Sequence, residues 1–414
     1  MNAKIGTLSL ISIVIGSQIG SGALSSPAIF AHFGLKSIYS WLIAGFGALC
    51  LSYVFAQLCF LLPYTGGPHV YIKHAFGHTF AFYIGWLYWM VSWISTVVVL
   101  IAGIGYLSEG LHLTNSLIIT LLGLVIWIFM NYLNLKGTEC SSKVELLLTG
   151  LKIIFFCVFI AIPFIYFDLN NIKYYEYSYD FPQSICAALW GFIGIEVATT
   201  PAEDVHNPRQ TIPKAVMIGT CCVALIYLLG NIAALGCVHH TQLSASIAPY
   251  SLISNHIFSS NFITNIMAFI LCLGSINAWI LASGQIALGL SKDGYLPPIF
   301  KQTTNQAPYF SIIITAIGVS FIWIVGMMCN LLSQIAFIID TLTPGFIITY
   351  LFCCCALIKL SNVKIHRIVA VISIIFCLGL LSIISTTSLI VTSIIIILGI
   401  PLRLYLNSHS PSYQ

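Results

Sequence analysis

Charge is what this 414-residue chain has least of: 6% of its residues are Asp, Glu, Lys or Arg, against roughly 25% in soluble domains. With 59% of residues hydrophobic, too few charges remain to cover a soluble surface. No basic run is present and the formal charge is only +4, so a nucleic-acid partner is not expected. The 14 cysteines form no CxxC pair and lie mostly in apolar stretches, Cys353-Cys354-Cys355 among them. They read as small buried side chains, not as a zinc site or redox couple. The 11 histidines contain no HExxH and read as loop and interface residues. Neither a metal nor an organic cofactor is expected. Acids and histidines are scattered along the chain, which leaves little room for a membrane-embedded transferase, since such an enzyme needs a catalytic set clustered at one membrane face. With only a short stretch from Arg403 to Gln414 after the last span, a receptor with a long cytoplasmic signalling domain is not expected.

What is present is a series of long apolar segments. A span needs about 20 apolar residues, and punctuation by Gly, Pro and charge divides the chain into roughly twelve spans. The first begins almost at Met1, with only Lys4 before it, and is too long for a cleavable signal, so it is expected to remain as a span. Placing the N-terminus in the cytoplasm puts 12 of the 15 Lys and Arg on that side. Lys36 and Lys173 fall outside and Lys152 falls within a span, an asymmetry that predicts both termini inside. The longest outer excursion runs from about Asp168 to Asp180, with five tyrosines between Tyr166 and Tyr179.

Two spans are interrupted. Gly16-Ser17-Gln18-Ile19-Gly20-Ser21-Gly22 lies in the first, and Trp190-Gly191-Phe192-Ile193-Gly194 in the sixth. The first lacks the Gly-Lys-Ser/Thr ending of a phosphate loop. Non-helical backbone at bilayer depth is tolerated only where it lines a cavity, and a matched pair of broken helices points to a carrier's binding site. Packing of small residues is the alternative for the first segment, but Ser17, Gln18, Ser21, Ser25 and Ser26 crowd it with polar groups and Pro27 follows. Freed N–H groups there suit a carboxylate, and freed carbonyls after Trp190 suit an ammonium. The interruptions lie five spans apart, so each half has an odd number of helices and the second half is inverted relative to the first.

Several side chains carry two readings each. Glu196 is expensive at bilayer depth unless paired, hydrated or protonated; it is either a gate and coupling residue or a wetted interfacial acid. Lys152 lies about 13 Å deeper than Lys143 on a helix. It either snorkels back to the headgroups or is a buried amine near the first interruption, replacing a coupling cation or exchanging protons. Asp340 either faces the cavity, where its charge would favour a cationic substrate or carry a proton as a coupling residue, or lies near the outer surface. Tyr88, Trp89, Trp93, Trp190 and Trp279 are packing or lipid-facing aromatics, or else site residues. Trp279 follows Gly274-Ser275-Ile276-Asn277, where its ring could hold an ammonium or guanidinium.

The segments IGSQIGSGALSSPA, PYTGGPHVYIKHAFG, GWLYWMVSW, LWGFIGIEVATTPAEDVHNPRQTIPKA and LGSINAWILASGQIALGLSKDGYLPPIF resemble the amino acid–polyamine–organocation superfamily over almost the full chain. The resemblance is nearest to its basic amino acid and polyamine antiporter branch. It implies an all-α membrane protein of about twelve spans with discontinuous helices 1 and 6, in a five-plus-five inverted repeat of the LeuT kind. The repeats are expected at about 5–168 and 181–360, with two extra helices at about 365–406, in one transmembrane domain. It implies that Ser21 and Gly22 present N–H groups to a carboxylate, that carbonyls of Gln18, Trp190 and Ile193 receive an α-amino group, and that Trp279 stacks on the side chain. Tyr88 and Trp190 would be aromatic gates, and Tyr71 and Glu196 would belong to the inner gate. Thr96 and Ser17 stand where the branch's arginine exchanger has asparagines, so arginine itself is not implied. Lys152, in VELLLTGLKIIFF, is similar to the fifth-span lysine of other exchangers and proton-coupled relatives. The expectation is a secondary transporter, not an enzyme, exchanging amino acids or related amines in a bacterial inner membrane. Its partners would be a small-molecule amino acid or amine, membrane lipid and, as an option, a second copy in a homodimer. Proton-coupled symport of a neutral amino acid is the rival reading.

Overall fold

The computed structural model describes residues 4–173, 181–246, 248–328 and 335–409. The chain opens with α1 (Thr7–Gln18) and α2 (Ser21–Ala31), then α3 (Lys36–Leu61), α4 (Pro68–Phe76), α5 (His78–Ile94), α6 (Thr96–Gly110), α7 (Ser116–Leu135) and α8 (Thr138–Ala161). After α9 (Leu169–Lys173) come α10 (Phe181–Trp190), α11 (Pro208–Cys237), α12 (His240–Ser244), α13 (Pro249–Phe258) and α14 (Phe262–Lys292). The rest is α15 (Tyr309–Met328), α16 (Ile335–Leu360), α17 (Lys364–Leu381), α18 (Thr386–Ile397) and α19 (Gly399–His409). No strand is found among the described residues; an isolated bridge pairs Ile5 with Val205. Among the described residues, ten helical stretches are long and apolar enough to span a bilayer, or eleven when α1 and α2 count as one span bent by 42°. The protein is therefore an all-helical, multi-pass membrane protein.

Which helices form the core follows from which faces remain apolar outside. On α7 the side chains of Leu117, Leu121, Val125, Ile128 and Phe129 are exposed, and α17 likewise exposes Ile368, Ile375 and Leu378. In water such faces would be costly; against lipid they are matched. By contrast α3, the α5–α6 pair, α14 and α16 are mostly buried. The first interruption lies against one of them, since α1 packs on α14 as well as on α8 and α11.

Local chemistry explains both interruptions. The α1 helix stops where Ile19 turns extended (φ −81°, ψ 92°) and Gly20 adopts φ −140°, ψ −135°. The following α2 has no side-chain cap for its first N–H groups. In the sixth span α10 ends at Trp190 and Gly194 takes φ +113°, a left-handed conformation natural to glycine. The α-helix does not resume after this break. Residues 191–207 run as turns with two short 3-10 segments, Val197–Thr199 and Ala202–Asp204. The inner part of the sixth span is thus looser than a simple broken helix predicts, with Pro201 and Pro208 removing N–H donors on either side. The expected outer loop lies largely at residues 174–180, outside the described residues.

Candidate functional site

A small cavity lies between the two interruptions. Ser17, Gln18, Gly20, Ser21 and Gly22 line it from the first, and Trp190 and Ile193 from the second. Trp279 of α14 and Ser95 and Val99 at the α5–α6 junction complete the wall. No charged side chain is among them, so whatever binds there meets hydroxyls, an amide, backbone dipoles and two indole rings.

The interruptions are tied directly to each other. Ser17 Oγ donates to the Val14 carbonyl (3.0 Å) or across to the Gly194 carbonyl (3.1 Å), and Trp279 Nε1 donates to the Ser17 carbonyl (3.3 Å). The Gln18 carbonyl, assigned from resemblance to a substrate amine, already accepts from Tyr227 Oη at 2.8 Å. The Trp190 carbonyl accepts from Ile193 N at 3.2 Å. Gln18 offers something else: its Nε2 donates to Thr220 Oγ1 (3.3 Å), while its Oε1 is buried and lacks a hydrogen-bond partner. A buried unpaired acceptor is costly unless a ligand supplies the donor. Ser21 and Gly22 begin α2 with uncapped N–H groups, as expected of a carboxylate site.

Thr96 is buried but turns its hydroxyl to the Trp93 carbonyl (2.6 Å), and it is Ser95, one residue earlier, that borders the cavity. Tyr88 and Trp190 do not meet as one gate. Trp190 lies against Gly22, whereas Tyr88 donates to Glu196 Oε1 at 2.8 Å. Tyr350 of α16 donates to the other oxygen, Glu196 Oε2, at 2.6 Å and accepts from Gly194 N at 3.4 Å. Glu196 is therefore not a wetted interfacial acid: it is fully buried and held by two phenols. Phe346 connects this group to the cavity, with its ring 6.1 Å from Tyr88 and 5.6 Å from Trp279. Tyr71 is fully buried beside Thr199 and Cys59 rather than on Glu196.

Lys152 does not snorkel. It is completely buried, and its Nζ donates to the Gly16 carbonyl (2.7 Å), the Ile19 carbonyl (2.8 Å) and Ser275 Oγ (3.0 Å). The carbonyls that α1 frees at its end therefore receive a cation, the charge a helix C-terminus favours. Asp340 is exposed on α16 and does not line the cavity. Its added negative charge is not part of the site.

On the face where the sequence places most lysines, the chain is closed by polar contacts. Lys292 pairs with Glu203 at 2.5 Å and Lys73 with Asp293 at 2.7 Å, with His69 Nε2 3.4 Å from the same carboxylate. Burial works to raise the Asp293 carboxyl, but the His69 and Lys73 contacts outweigh it and hold it down to about 2. Asp204 is pushed the other way, to about 6, mainly by burial. Its backbone carbonyl accepts from Ile5 N (2.9 Å) and its Oδ2 from Gln285 Nε2 (3.3 Å), while Gly66 N donates to the Thr200 carbonyl (2.9 Å). These contacts bind the start of α1 and the loop before α4 to the turns after the second interruption and the end of α14. Tyr350, Tyr227, Ser95 and Asp293 were not singled out from sequence; each gains its role through a contact with a distant segment.

Comparison with known proteins shows the family of the chain. A family profile described as amino acid permease matches residues 5–405. A cadaverine/lysine antiporter of Escherichia coli (strain K12) is 27% identical over 391 residues, covering 89% of this chain and 86% of the relative. The putrescine transporter PotE of the same strain is 27% identical over 372 residues (87% and 84%), and PotE of Haemophilus influenzae 27% over 380 residues (87% and 86%). A match over nearly the whole length, on a chain whose two interruptions enclose one cavity, establishes that this protein belongs to the amino acid permease family, within the amino acid–polyamine–organocation superfamily, and is a transporter, not an enzyme.

Proposed function

We propose that the chain is an antiporter of a bacterial inner membrane that exchanges a basic amino acid for a related diamine or polyamine by alternating access. The observation that carries this reading is the uncharged cavity between the two interruptions, in which uncapped N–H groups, an unpartnered amide oxygen and two indole rings converge. An amino acid would place its carboxylate at Ser21 and Gly22 and an ammonium at Gln18 Oε1, with its chain along Trp279 and Trp190. A diamine would forgo the carboxylate contact and use the same acceptor and ring faces, which attract cations. The names of the relatives, cadaverine/lysine antiporter and putrescine transporter, support amines of this kind. Glu196 with Tyr88 and Tyr350 would act as a gate on the far side of Phe346, and the Glu203–Lys292 and Asp293–Lys73 contacts as the inner closure.

The architecture proposed with this function is twelve spans in a five-plus-five inverted repeat, both termini cytoplasmic, with α10 and the turns after it completing the sixth span. The experiment is counterflow: proteoliposomes preloaded with lysine, arginine, ornithine, cadaverine or putrescine, and uptake of each labelled counterpart. Uptake that requires a loaded amine supports exchange. Equal uptake into empty vesicles contradicts it.

A further inference from the structure

Seven residues before Lys152, two turns earlier on the same face of α8, Glu145 is fully buried. Its Oε1 lies against Gly16 of α1, where a Cβ would overlap the carboxylate. Glycine at that position lets the acid reach the α1 backbone. Glu145 Oε2 accepts from Asn277 Nδ2 at 2.8 Å. The orientation of that amide is fixed elsewhere, since Nδ2 also donates to the Ser141 carbonyl (3.0 Å) and Oδ1 accepts from Asn134 Nδ2 (3.0 Å).

The remaining contact bears on the protonation state. Thr149 Oγ1 is 3.2 Å from Glu145 Oε1 and 3.0 Å from the Ser12 carbonyl of α1. A hydroxyl carries one proton. Both contacts are undivided hydrogen bonds at once when Glu145 is the neutral acid, its O–H donating to Thr149 Oγ1 while Thr149 donates to Ser12; with Glu145 ionised, the one Thr149 proton is shared between the two oxygens or given to one of them. The end of α1 favours the neutral form, against the attraction of Lys152 and the Asn277 amide for the carboxylate. Glu145 abuts the last turn of α1, whose carbonyl end carries partial negative charge. A carboxylate is repelled there, whereas Lys152 on the Gly16 and Ile19 carbonyls is attracted.

The other ionisable groups around Glu145 are few. Lys152 is the charge that acts on it, and the Cys272 thiol of α14 faces Lys152. The α1 helix has no ionisable side chain, and the only one on α7, Tyr132, is exposed beneath Lys136. On α11, Tyr227 is committed to the Gln18 carbonyl and Cys221 is exposed, while Cys222, Arg209 and Lys214 have no contact with the acid. On α8 itself the Glu139–Lys143 pair is solvent-facing and Cys140 is partly exposed.

We propose that Glu145 is a proton-binding site that latches the inner half of the first span. With the proton bound, Thr149 bridges the acid to α1 and α1 stays docked on α8; on release, the carboxylate repels the end of α1 and the helix is free to swing away. The site rests on geometry alone, while its effect on exchange rests on the antiporter reading above.

Two measurements separate these. In infrared titration of the purified protein, the carboxylic-acid carbonyl band of a buried acid is expected in the wild type, to be lost in Glu145→Gln and retained in Glu196→Gln. A band unchanged by Glu145→Gln overturns the site. Should Glu145→Gln not fold, Thr149→Val keeps the acid and removes its acceptor, so the band is expected to titrate at lower pH; an unchanged titration overturns the site equally. In counterflow, wild-type exchange is expected to vary about tenfold between acid and alkaline limits. Glu145→Gln, whose amide can donate to Thr149 as the neutral acid does, is expected to be flat. An identical pH profile in both overturns the latch. If no amine is exchanged by the wild type, the antiporter reading fails while the infrared result still decides the site.

Discussion

Replacing Lys152 by Met keeps the length of the side chain and removes its charge and donors. In the docked structure Lys152 supplies donors to two α1 carbonyls, Gly16 and Ile19, at 2.7 and 2.8 Å. Hydrogen bonds to a charged group contribute about 1.5–3 kcal/mol each. Ser275 Oγ also reaches both carbonyls, at 2.7 and 2.6 Å, but has one proton and can satisfy only one of them. The net loss to the docked arrangement is therefore about one charge-assisted bond, or about 2 kcal/mol, which is about 30-fold in the docking equilibrium. Overall stability need not fall by as much, since an apolar side chain in place of a buried charge also removes its desolvation cost. The expectation is thus specific: amine exchange in proteoliposomes falls about 30-fold while thermal unfolding in detergent shifts little. Exchange within twofold of wild type, on vesicles of equal protein content, would refute the claim that Lys152 holds the broken end of the first span.

Gln18→Leu deletes the unpartnered acceptor in the cavity and is expected to raise KM for amines about tenfold or more, the cost of one charge-assisted hydrogen bond, with folding retained; an unchanged KM places the ammonium elsewhere. Tyr350→Phe leaves Glu196 Oε2 without its 2.6 Å donor, so the exchange rate should fall about tenfold with KM little changed. A selective loss of affinity instead would move Tyr350 into the binding site. For Asp293, a carboxyl held at about 2 lies below its unfolded value of about 3.9. Its stabilisation is present above about pH 4 and is lost as pH falls toward 2. Melting of the wild type should therefore drop more steeply from pH 5 to pH 3 than that of Asp293→Asn, and parallel curves would show that the Lys73 and His69 contacts do not govern acid stability.

Much of the fold was legible because bilayer physics writes itself into composition: apolar segments, their length and their interruptions are all local in sequence. The breaks at Gly20 and Gly194 were visible for the same reason, since glycine beside polar residues inside a span marks backbone that leaves the helix. Partnerships were not legible. The role of Lys152 depends on the Gly16 and Ile19 carbonyls within its reach, and that of Glu145 on contacts with α1 and α14. Thr96 and Ser95 differ by one residue on a helix, a rotation of about 100°, and only the packing of that span against its neighbours determines which faces the cavity. The placement of Asp340 turns on depth, and depth near a span's end depends on packing. The loss of α-helix after Gly194 follows from turns that close against Thr65, Gly66 and Ile5, contacts that no local pattern announces.

The central claim is that the two interruptions share one binding cavity, and Gly22 tests it most directly. A Cβ there would lie 3.0 Å from Trp190 Cδ1 and 3.4 Å from Gly191 Cα, so a larger side chain must occupy the space between the breaks. Counterflow of labelled lysine or putrescine by Gly22→Leu, purified as a monodisperse protein with a wild-type unfolding temperature, is predicted to be abolished. Wild-type exchange by that folded variant would contradict the account.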